Sequence, residues 1–298
     1  MPLQEESLYI PISETDTLHL KRIFKNPKGE PVFLLHGSIE NGMIFYSKNL
    51  KGYAPFLAEQ GYDVFIADFQ GRGKSTPAIN RHSTYGQVDI IKTDIPAFLE
   101  KIKEIKGDIP IHWGAHSWGG VLALAYIARF QPKVKSLVLF GAKRRLTIRN
   151  WEYFTQLIIN WHLLGNFFMW VYGFLPAKRF GFGAENEPRV HFYQINKWLG
   201  KKSKWIDNVD DYDYGDALQK CNLPPCLFLA GKKDTLLGHP QDVKLLMSET
   251  HNDKNEYWLL AKEKGFAQDY GHIDMLTHRN AKEDHFMKVV EWMKRVVE

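Results

Sequence analysis

Two cysteines in 298 residues cannot build a disulfide framework, so this chain must be held together by its own core. Cys221 and Cys226 flank Pro224 and Pro225, with no second Cys or Cys/His pair nearby, which excludes a structural zinc site. Cys226 opens an apolar run and reads as a small core residue. No metal and no organic cofactor is implied. Internal repeats and low-complexity segments are absent, which excludes solenoid, fibrous and disordered chains. Charge of one sign is scarce too. Lys plus Arg number 39 against 34 Asp plus Glu, and the balance of +5 is too mild for a nucleic-acid binder. The basic clusters Lys143-Arg144-Arg145 and Lys201-Lys202-Ser203-Lys204 read as solvated loops, or as attraction to anionic head groups or substrates. The opening stretch, MPLQEESLYIPISETD, has no basic segment followed by an apolar one. No secretory signal is read, and the cytoplasm is the expected compartment.

What the chain does have is a surplus of aromatic residues in one place. Of 41 in all, 17 lie in residues 145–220, a quarter of the length, so the surplus belongs to one segment and not to the whole fold. Elsewhere, short apolar runs alternate with amphipathic stretches. Residues 31–36 (PVFLLH), 62–68 (YDVFIAD), 109–113 (IPIHW), 134–140 (VKSLVLF), 225–230 (PCLFLA) and 256–261 (EYWLLA) read as strands covered on both faces. Helices are expected at 47–60, after Ser83 through Ile105, at 117–129 and at about 280–297. Such alternation predicts an α/β fold with a mainly parallel sheet. Residues 8–12 and 18–25 add antiparallel strands at the start. Some 80 residues separate the strand at 134–140 from the next, far more than a crossover needs, so an insertion is expected there.

The strongest motif is Gly114-Ala115-His116-Ser117-Trp118-Gly119-Gly120, placed after a strand and opening a helix. A serine on such a strained turn projects its hydroxyl clear of the sheet, as a nucleophile elbow requires. Small residues two before and two after it let strand and helix approach; Ala115 and Gly119 hold those places. The partners should follow in the order acid, then base. Asp234 stands in the turn after residues 227–230 and is the expected acid; the turn after 134–140 carries no carboxylate. His272, in a loop beyond the last strand, is the expected base, taking the Ser117 proton while Asp234 fixes its tautomer. His278 and His285 lie in helical sequence and read as surface residues. The oxyanion hole is expected from the backbone N–H groups of Trp118 and Ser38, with His36 and Gly37 shaping the Ser38 turn beside the substrate. Gly71-Arg72-Gly73-Lys74-Ser75 ends like a phosphate loop, but Asp68 stands where its first glycine belongs, so no nucleotide site is read.

Together these residues resemble the α/β-hydrolase superfamily. The likeness rests on His36-Gly37, Asp68 with Gly71-x-Gly73-x-Ser75, the serine elbow, Gly231-x-x-Asp234 and Gly271-His272, on both sides of the insertion. The chain is most similar to the monoglyceride lipase, lysophospholipase and serine-aminopeptidase-like group. Tyr-Gly-His-Ile-Asp at 270–274 is also similar to acid lipases. Gln70 stands where these enzymes usually carry Arg. The resemblance implies the α/β-hydrolase fold, with helices on both faces of a central sheet and a helical cap, and it implies a serine hydrolase. Serine in place of Asp or Cys at position 117 argues against epoxide hydrolase, dehalogenase and dienelactone hydrolase chemistry.

On this reading residues 1–144 and 221–298 form the core and 145–220 the cap. Residues 153–177 carry no charge, but Asn160, His162, Gly165, Asn166 and Gly173 interrupt them, and two lid helices fit better than a membrane span. Trp151, Phe154, Trp161, Phe168 and Trp170 are expected to line an apolar acyl tunnel, with transient membrane-surface contact flanked by Lys178 and Arg179. The expected substrate is a small molecule or lipid, a carboxylic ester with an apolar acyl chain such as a monoacylglycerol or lysophospholipid. Cleavage of a thioester or of an N-terminal peptide bond is the alternative. An aminopeptidase would need cap carboxylates for a substrate ammonium, and Glu152, Glu185, Glu187, Asp207, Asp210, Asp211 and Asp213 are candidates. A non-catalytic fold that holds an apolar ligand is a third reading.

Overall fold

The computed structural model describes residues 2–200, 204–207 and 209–296. Lys201, Lys202 and Ser203 of the second basic cluster, and Val297 of the expected last helix, lie outside the described residues. The strands are β1 (Gln4–Pro11), β2 (Thr17–Phe24), β3 (Pro31–Leu35), β4 (Asp63–Asp68), β5 (Ile111–His116), β6 (Val134–Phe140), the two-residue β7 (Phe174–Leu175) and β8 (Glu187–Pro188), β9 (Cys226–Gly231) and β10 (Asn255–Leu260). Eight of them form one sheet in the order β1-β2-β4-β3-β5-β6-β9-β10. β1 and β2 are an antiparallel hairpin, β2 meets β4 antiparallel, and every pair from β4 to β10 is parallel.

Continuous burial follows from helices on both faces. Successive side chains point to opposite faces of a strand. Phe33, Leu35, Phe65 and Ala67 therefore join one core, with helices Ile95–Lys106 and Trp118–Phe130. Val32, Leu34, Val64 and Ile66 join the other, with helices Tyr53–Glu59 and His285–Arg295.

Several expected boundaries shift for local reasons. The helix expected at 47–60 begins only at Tyr53, because Leu50 and Gly52 take positive φ (+52° and +122°), which no right-handed helix allows. The helical stretch before Pro96 widens into a π turn, Ile90–Asp94; proline has no N–H to close the ordinary ladder. At the other end, Asp284 (φ −117°, ψ −106°) separates a short 3₁₀ turn, Arg279–Glu283, from helix His285–Arg295. His285, expected at the surface, is fully buried and bonds the Met275 carbonyl at 2.7 Å, and burial pushes its pKa down to about 4.

Among the described residues, 141–225 add no strand to the large sheet. Instead of two lid helices, 153–172 form one helical run, a π segment Tyr153–Leu164 passing into α-helix Gly165–Tyr172. The backbone at Leu164 and Gly165 stays helical, and Gly165 packs under the Phe192 ring. Phe168, Met169, Leu175, Ala177 and Phe192 make a small core of their own. The segment's last helix, Tyr214–Lys220, instead packs into the core around helix Trp118–Phe130. Among the described residues no helix is long and apolar enough to cross a membrane.

Asp68, at the end of β4, ties two loops to the sheet and meets the neighbouring strand β2. Its carboxylate accepts from His19 Nδ1 at 2.7 Å, from the Gly42 N–H at 2.8 Å and from the Lys74 N–H at 3.0 Å. Burial opposes its charge, yet these donors and His36 hold its pKa below the usual 3.8. A depressed acid contributes stability that is full above its unfolded pKa and fades as pH falls through the folded one. Asp68→Asn should therefore cost about 1–3 kcal/mol at pH 7. In urea unfolding the gap to the unmodified protein should shrink below pH 3.8. A gap unchanged down to pH 3 would contradict this account.

Candidate active site

The sharp turn between β5 and helix Trp118–Phe130 puts Ser117 at φ +52°, ψ −124°, a strained conformation for a residue with a side chain. It is held there from both sides. The Ser117 N–H donates to the Phe140 carbonyl of β6 at 2.8 Å. On the helix side the backbone at Gly119 lies so close to β3 that a Cβ would sit 2.4 Å from the His36 carbonyl oxygen. Ala115 is fully buried, so its methyl is accommodated inside the core.

Asp234 occupies the turn after β9, and His272 the loop after β10. His272 Nδ1 donates to Asp234 Oδ2 at 2.6 Å. Burial works against the Asp234 charge, but the His272 ring and the Gly238 and Leu236 N–H groups keep its pKa below the ordinary carboxylate range. Ser117 and His272 line the same cavity. The Ser117 hydroxyl forms no hydrogen bond among the described residues, leaving it free for a substrate-bound arrangement.

The backbone donors sort themselves by elimination. Gly37 N–H donates to Glu40 Oε2 at 2.8 Å and Ile39 N–H to Glu187 Oε2 at 2.9 Å. Between them the Ser38 N–H has no acceptor among the described residues, and neither does the Trp118 N–H at the helix start. Both residues line the cavity with Ser117.

Two residues given no role in the sequence reading organise this region. His116 Nδ1 meets Glu40 Oε2 at 2.9 Å, and Nε2 meets the His272 carbonyl at 3.0 Å. Both partners only accept, so both ring nitrogens must carry protons and His116 is an imidazolium. Burial resists that charge; Glu40 overcomes it and raises the His116 pKa, while His116 in turn lowers that of Glu40. A histidine directly before the elbow serine and a carboxylate three residues after Gly37 were the available signals.

The cavity measures about 580 Å³. Its apolar wall comes from Ile39, Leu146, Leu157, Trp161, Phe182 and Leu236. A larger cleft of about 880 Å³ beside Tyr257 and Trp292 contains none of the groups above. Of the five aromatics expected along a tunnel, Trp161 alone lines the cavity. Trp151, Phe154 and Trp170 are 73%, 48% and 82% exposed, and Phe168 is buried against the Phe180 ring, centroids 4.4 Å apart. One helix presents only one face inward, and the π segment alters which positions share it. Phe182, missed from sequence, sits between Gly181 and Gly183; the latter's backbone packs on Ile39. His36 is also corrected. It is fully buried, bonding the Gly37 carbonyl at 2.8 Å and accepting from the Phe69 N–H at 3.2 Å, so it supports the loop without touching the cavity. Gly37 packs beside Ser117, where an added Cβ would lie 2.9 Å from the serine Cβ.

Five of the seven candidate carboxylates in residues 145–220 are engaged elsewhere. Glu187 pairs with Arg72 and with His191 at 2.7 Å. Glu185 accepts from Asn41 at 2.7 Å and faces Lys178 at 3.3 Å. Asp207 and Asp210 meet Arg129 and Lys92. Asp213 caps helix Tyr214–Lys220. These five, together with Glu152 and Asp211, are all absent from the cavity lining.

A family model described as "alpha/beta hydrolase fold" matches residues 30–180. Proline iminopeptidase of Xylella fastidiosa is 31% identical over 129 residues, covering 43% of this chain and 36% of that protein. A probable lysophospholipase L2 of Haemophilus influenzae is 24% identical over 184 residues, 60% of this chain and 53% of that one. The chain thus spans about a third to a half of the length of these curated relatives. Among solved structures, an esterase from Exiguobacterium antarcticum superposes with TM-score 0.62 at 20% identity, over 97% of this chain and 100% of that one. An esterase of Pyrococcus furiosus gives TM-score 0.61 at 16%, over 99% and 92%.

The Glu40–His116 pair gives this region its own pH signature. Stability from the lowered Glu40 is full above pH 4.5, and that from the raised His116 is full below pH 6.5 and is lost as pH rises through its folded pKa. Glu40→Gln leaves a buried charge without its partner and should cost about 3–5 kcal/mol. The loss should be greatest between pH 4.5 and 6.5 and smaller at pH 9, read from denaturant midpoints at each pH.

Proposed function

Since the chain belongs to the α/β-hydrolase fold family, we propose that it is a serine hydrolase cleaving carboxylic esters with an apolar acyl chain. The observation that carries this reading is Ser117 at the wall of an apolar cavity shared with an Asp234-oriented His272. In the proposed reaction Ser117 Oγ attacks the ester carbonyl carbon while its proton passes to His272 Nε2. The carbonyl oxygen takes the negative charge, facing the Ser38 and Trp118 N–H groups; losing one such donor costs about 2.7–4 kcal/mol of transition-state stabilisation. The C–O bond to the alcohol then breaks, and the alcohol leaves with the proton from His272. Water, deprotonated by His272, attacks the acyl-serine, and the acid leaves as Ser117 regains its proton. Asp234 keeps Nδ1–H fixed and stabilises the imidazolium in both halves.

A monoacylglycerol or lysophospholipid fits an apolar acyl pocket, and the likeness to a probable lysophospholipase supports that class. The likeness to proline iminopeptidases supports a second reading, an aminopeptidase on the same triad. Against it, Glu40 is the sole carboxylate among the lining residues, and Gly37 and His116 already occupy it. A fluorophosphonate probe should label Ser117, and p-nitrophenyl esters from acetyl to palmitoyl should be hydrolysed, with Ser117→Ala inactive. Asp234→Asn should lose on the order of 10⁴-fold in kcat. Turnover of amino-acyl naphthylamides without ester hydrolysis would favour the second reading instead.

We also propose that the cap meets a lipid surface. Trp151, Phe154, Leu163, Phe167 and Trp170 are exposed along 151–172, followed by Lys178 and Arg179. Apolar side chains with adjacent cations suit an interface containing anionic lipid. The protein should co-sediment with phosphatidylglycerol-containing vesicles. Trp151→Ala with Trp170→Ala should weaken that binding at least several-fold, with Tm unchanged because both rings are exposed. Equal sedimentation of both proteins would end this reading.

A further inference from the structure

The basic cluster after β6 divides into unequal parts. Arg144 pairs with Glu249 at 2.8 Å, and Arg145 pairs with the same carboxylate at 2.5 Å. Lys143 does neither. It is only 8% exposed, it lines the cavity that holds Ser117 and His272, and its ammonium makes no hydrogen bond or ion pair among the described residues. A buried ammonium without a direct partner is costly to keep, and function is a common reason for its presence. The charged groups that face it at longer range are Asp242 and Asp234. Asp242 is already taken up by the Thr147 N–H at 3.1 Å and the Thr147 hydroxyl at 2.5 Å, and Asp234 by His272. Lys143 also stands two residues after Gly141, whose backbone packs against the His272 ring. One cation therefore shares with Ser117 and His272 a cavity otherwise walled mainly by apolar side chains.

We infer that Lys143 is an anion-binding subsite, so that the cavity accepts apolar ligands carrying a carboxylate or phosphate group. This rests on the hydrolase reading of the same cavity. It narrows the substrate class from neutral esters to acidic ones, such as a half-ester of a dicarboxylic acid or a phosphate-bearing lysolipid. Burial, opposed by the two aspartates, brings the Lys143 pKa down to about 8. The ammonium is then charged below pH 8 and progressively neutral above it, and a bound anion would hold the proton to higher pH.

The test uses binding, which needs no turnover, and turnover beside it. Decanoate, decyl phosphate and decanol are titrated into the protein with Ser117 replaced by Ala, following tryptophan fluorescence from Trp118 and Trp161 in the cavity wall. Either anion should bind at least ten-fold more tightly than decanol at pH 7, and the preference should decline above pH 8. Adding Lys143→Met should abolish the preference, whereas Lys143→Arg should keep part of it. A preference for decanoate alone points to a carboxylate substrate, for decyl phosphate alone to a lysolipid phosphate. Lys143→Met removes an unpaired buried charge, so it should fold with an unchanged or higher Tm. In the active protein, Lys143→Met should lower the kcat/KM ratio of p-nitrophenyl hemisuccinate over p-nitrophenyl butyrate at least ten-fold. Equal binding of anions and decanol, or a preference that survives Lys143→Met, overturns the subsite. Failure of every ester to turn over, with anion binding intact, would instead count against the hydrolase reading alone.

Discussion

The whole arrangement turns on one strained residue. Ser117 keeps φ +52° because the chain on either side of it has no room to relax. β5 is locked between β3 and β6 by parallel ladders, and the helix that follows is pressed onto the β3 carbonyls. Strain of this kind costs of order 1–3 kcal/mol and persists only where the surroundings over-determine it. Here they are two apolar cores with the sheet between them. The same tightness raises the serine hydroxyl off the sheet and leaves the Trp118 N–H open at the helix start. A relaxed turn would lose both together.

Backbone packing sets the elbow, and electrostatics set the loops around it. The Glu40–His116 ion pair touches three segments at once: the Ser38 loop through Gly37, the elbow strand through His116, and the His272 loop through the His272 carbonyl. Neither charge would survive alone at that depth, so each exists because of the other. The consequence is geometric. The loop bearing one backbone donor and the loop bearing the imidazole are referenced to the residue next to the serine, and not to each other through solvent.

Much of this was legible from residue order. Strands such as 31–35 and 134–140 announce themselves because both of their faces are buried, which leaves a continuous apolar run. Asp234 and His272 could be chosen from many carboxylates and twelve histidines because strand ends are the places where side chains can converge. What could not be read was direction. The aromatic richness of 145–220 is real, yet Trp151 and Trp170 face solvent, Phe168 faces its own small core, and Trp161 alone among the expected five faces the cavity. Composition counts side chains without their azimuth, and a π segment breaks the 3.6-residue rule that would have supplied it. The direction of charged side chains is hidden for a related reason. Lys143 and Arg144 belong to one basic triplet, but one lines a cavity and the other meets Glu249, a pairing 105 residues away in sequence.

Distance in sequence also hides how the 141–225 segment acts on the core. Glu187, in the short strand β8, accepts from the Ser38 hydroxyl and from the Ile39 N–H at 2.9 Å, and pairs with the buried Arg72 from the loop after β4. Burial would favour its neutral form, but Arg72 and His191 hold its pKa far below the usual value, so it is a carboxylate under all ordinary conditions. That single group occupies the N–H of Ile39 and thereby leaves the neighbouring Ser38 N–H as the free donor of its loop. The 141–225 segment therefore does more than line the cavity. Displacing β8 would release the Ser38 loop and leave the Arg72 guanidinium without its carboxylate. The cost of losing these contacts couples the position of β8 to that of the Ser38 backbone donor.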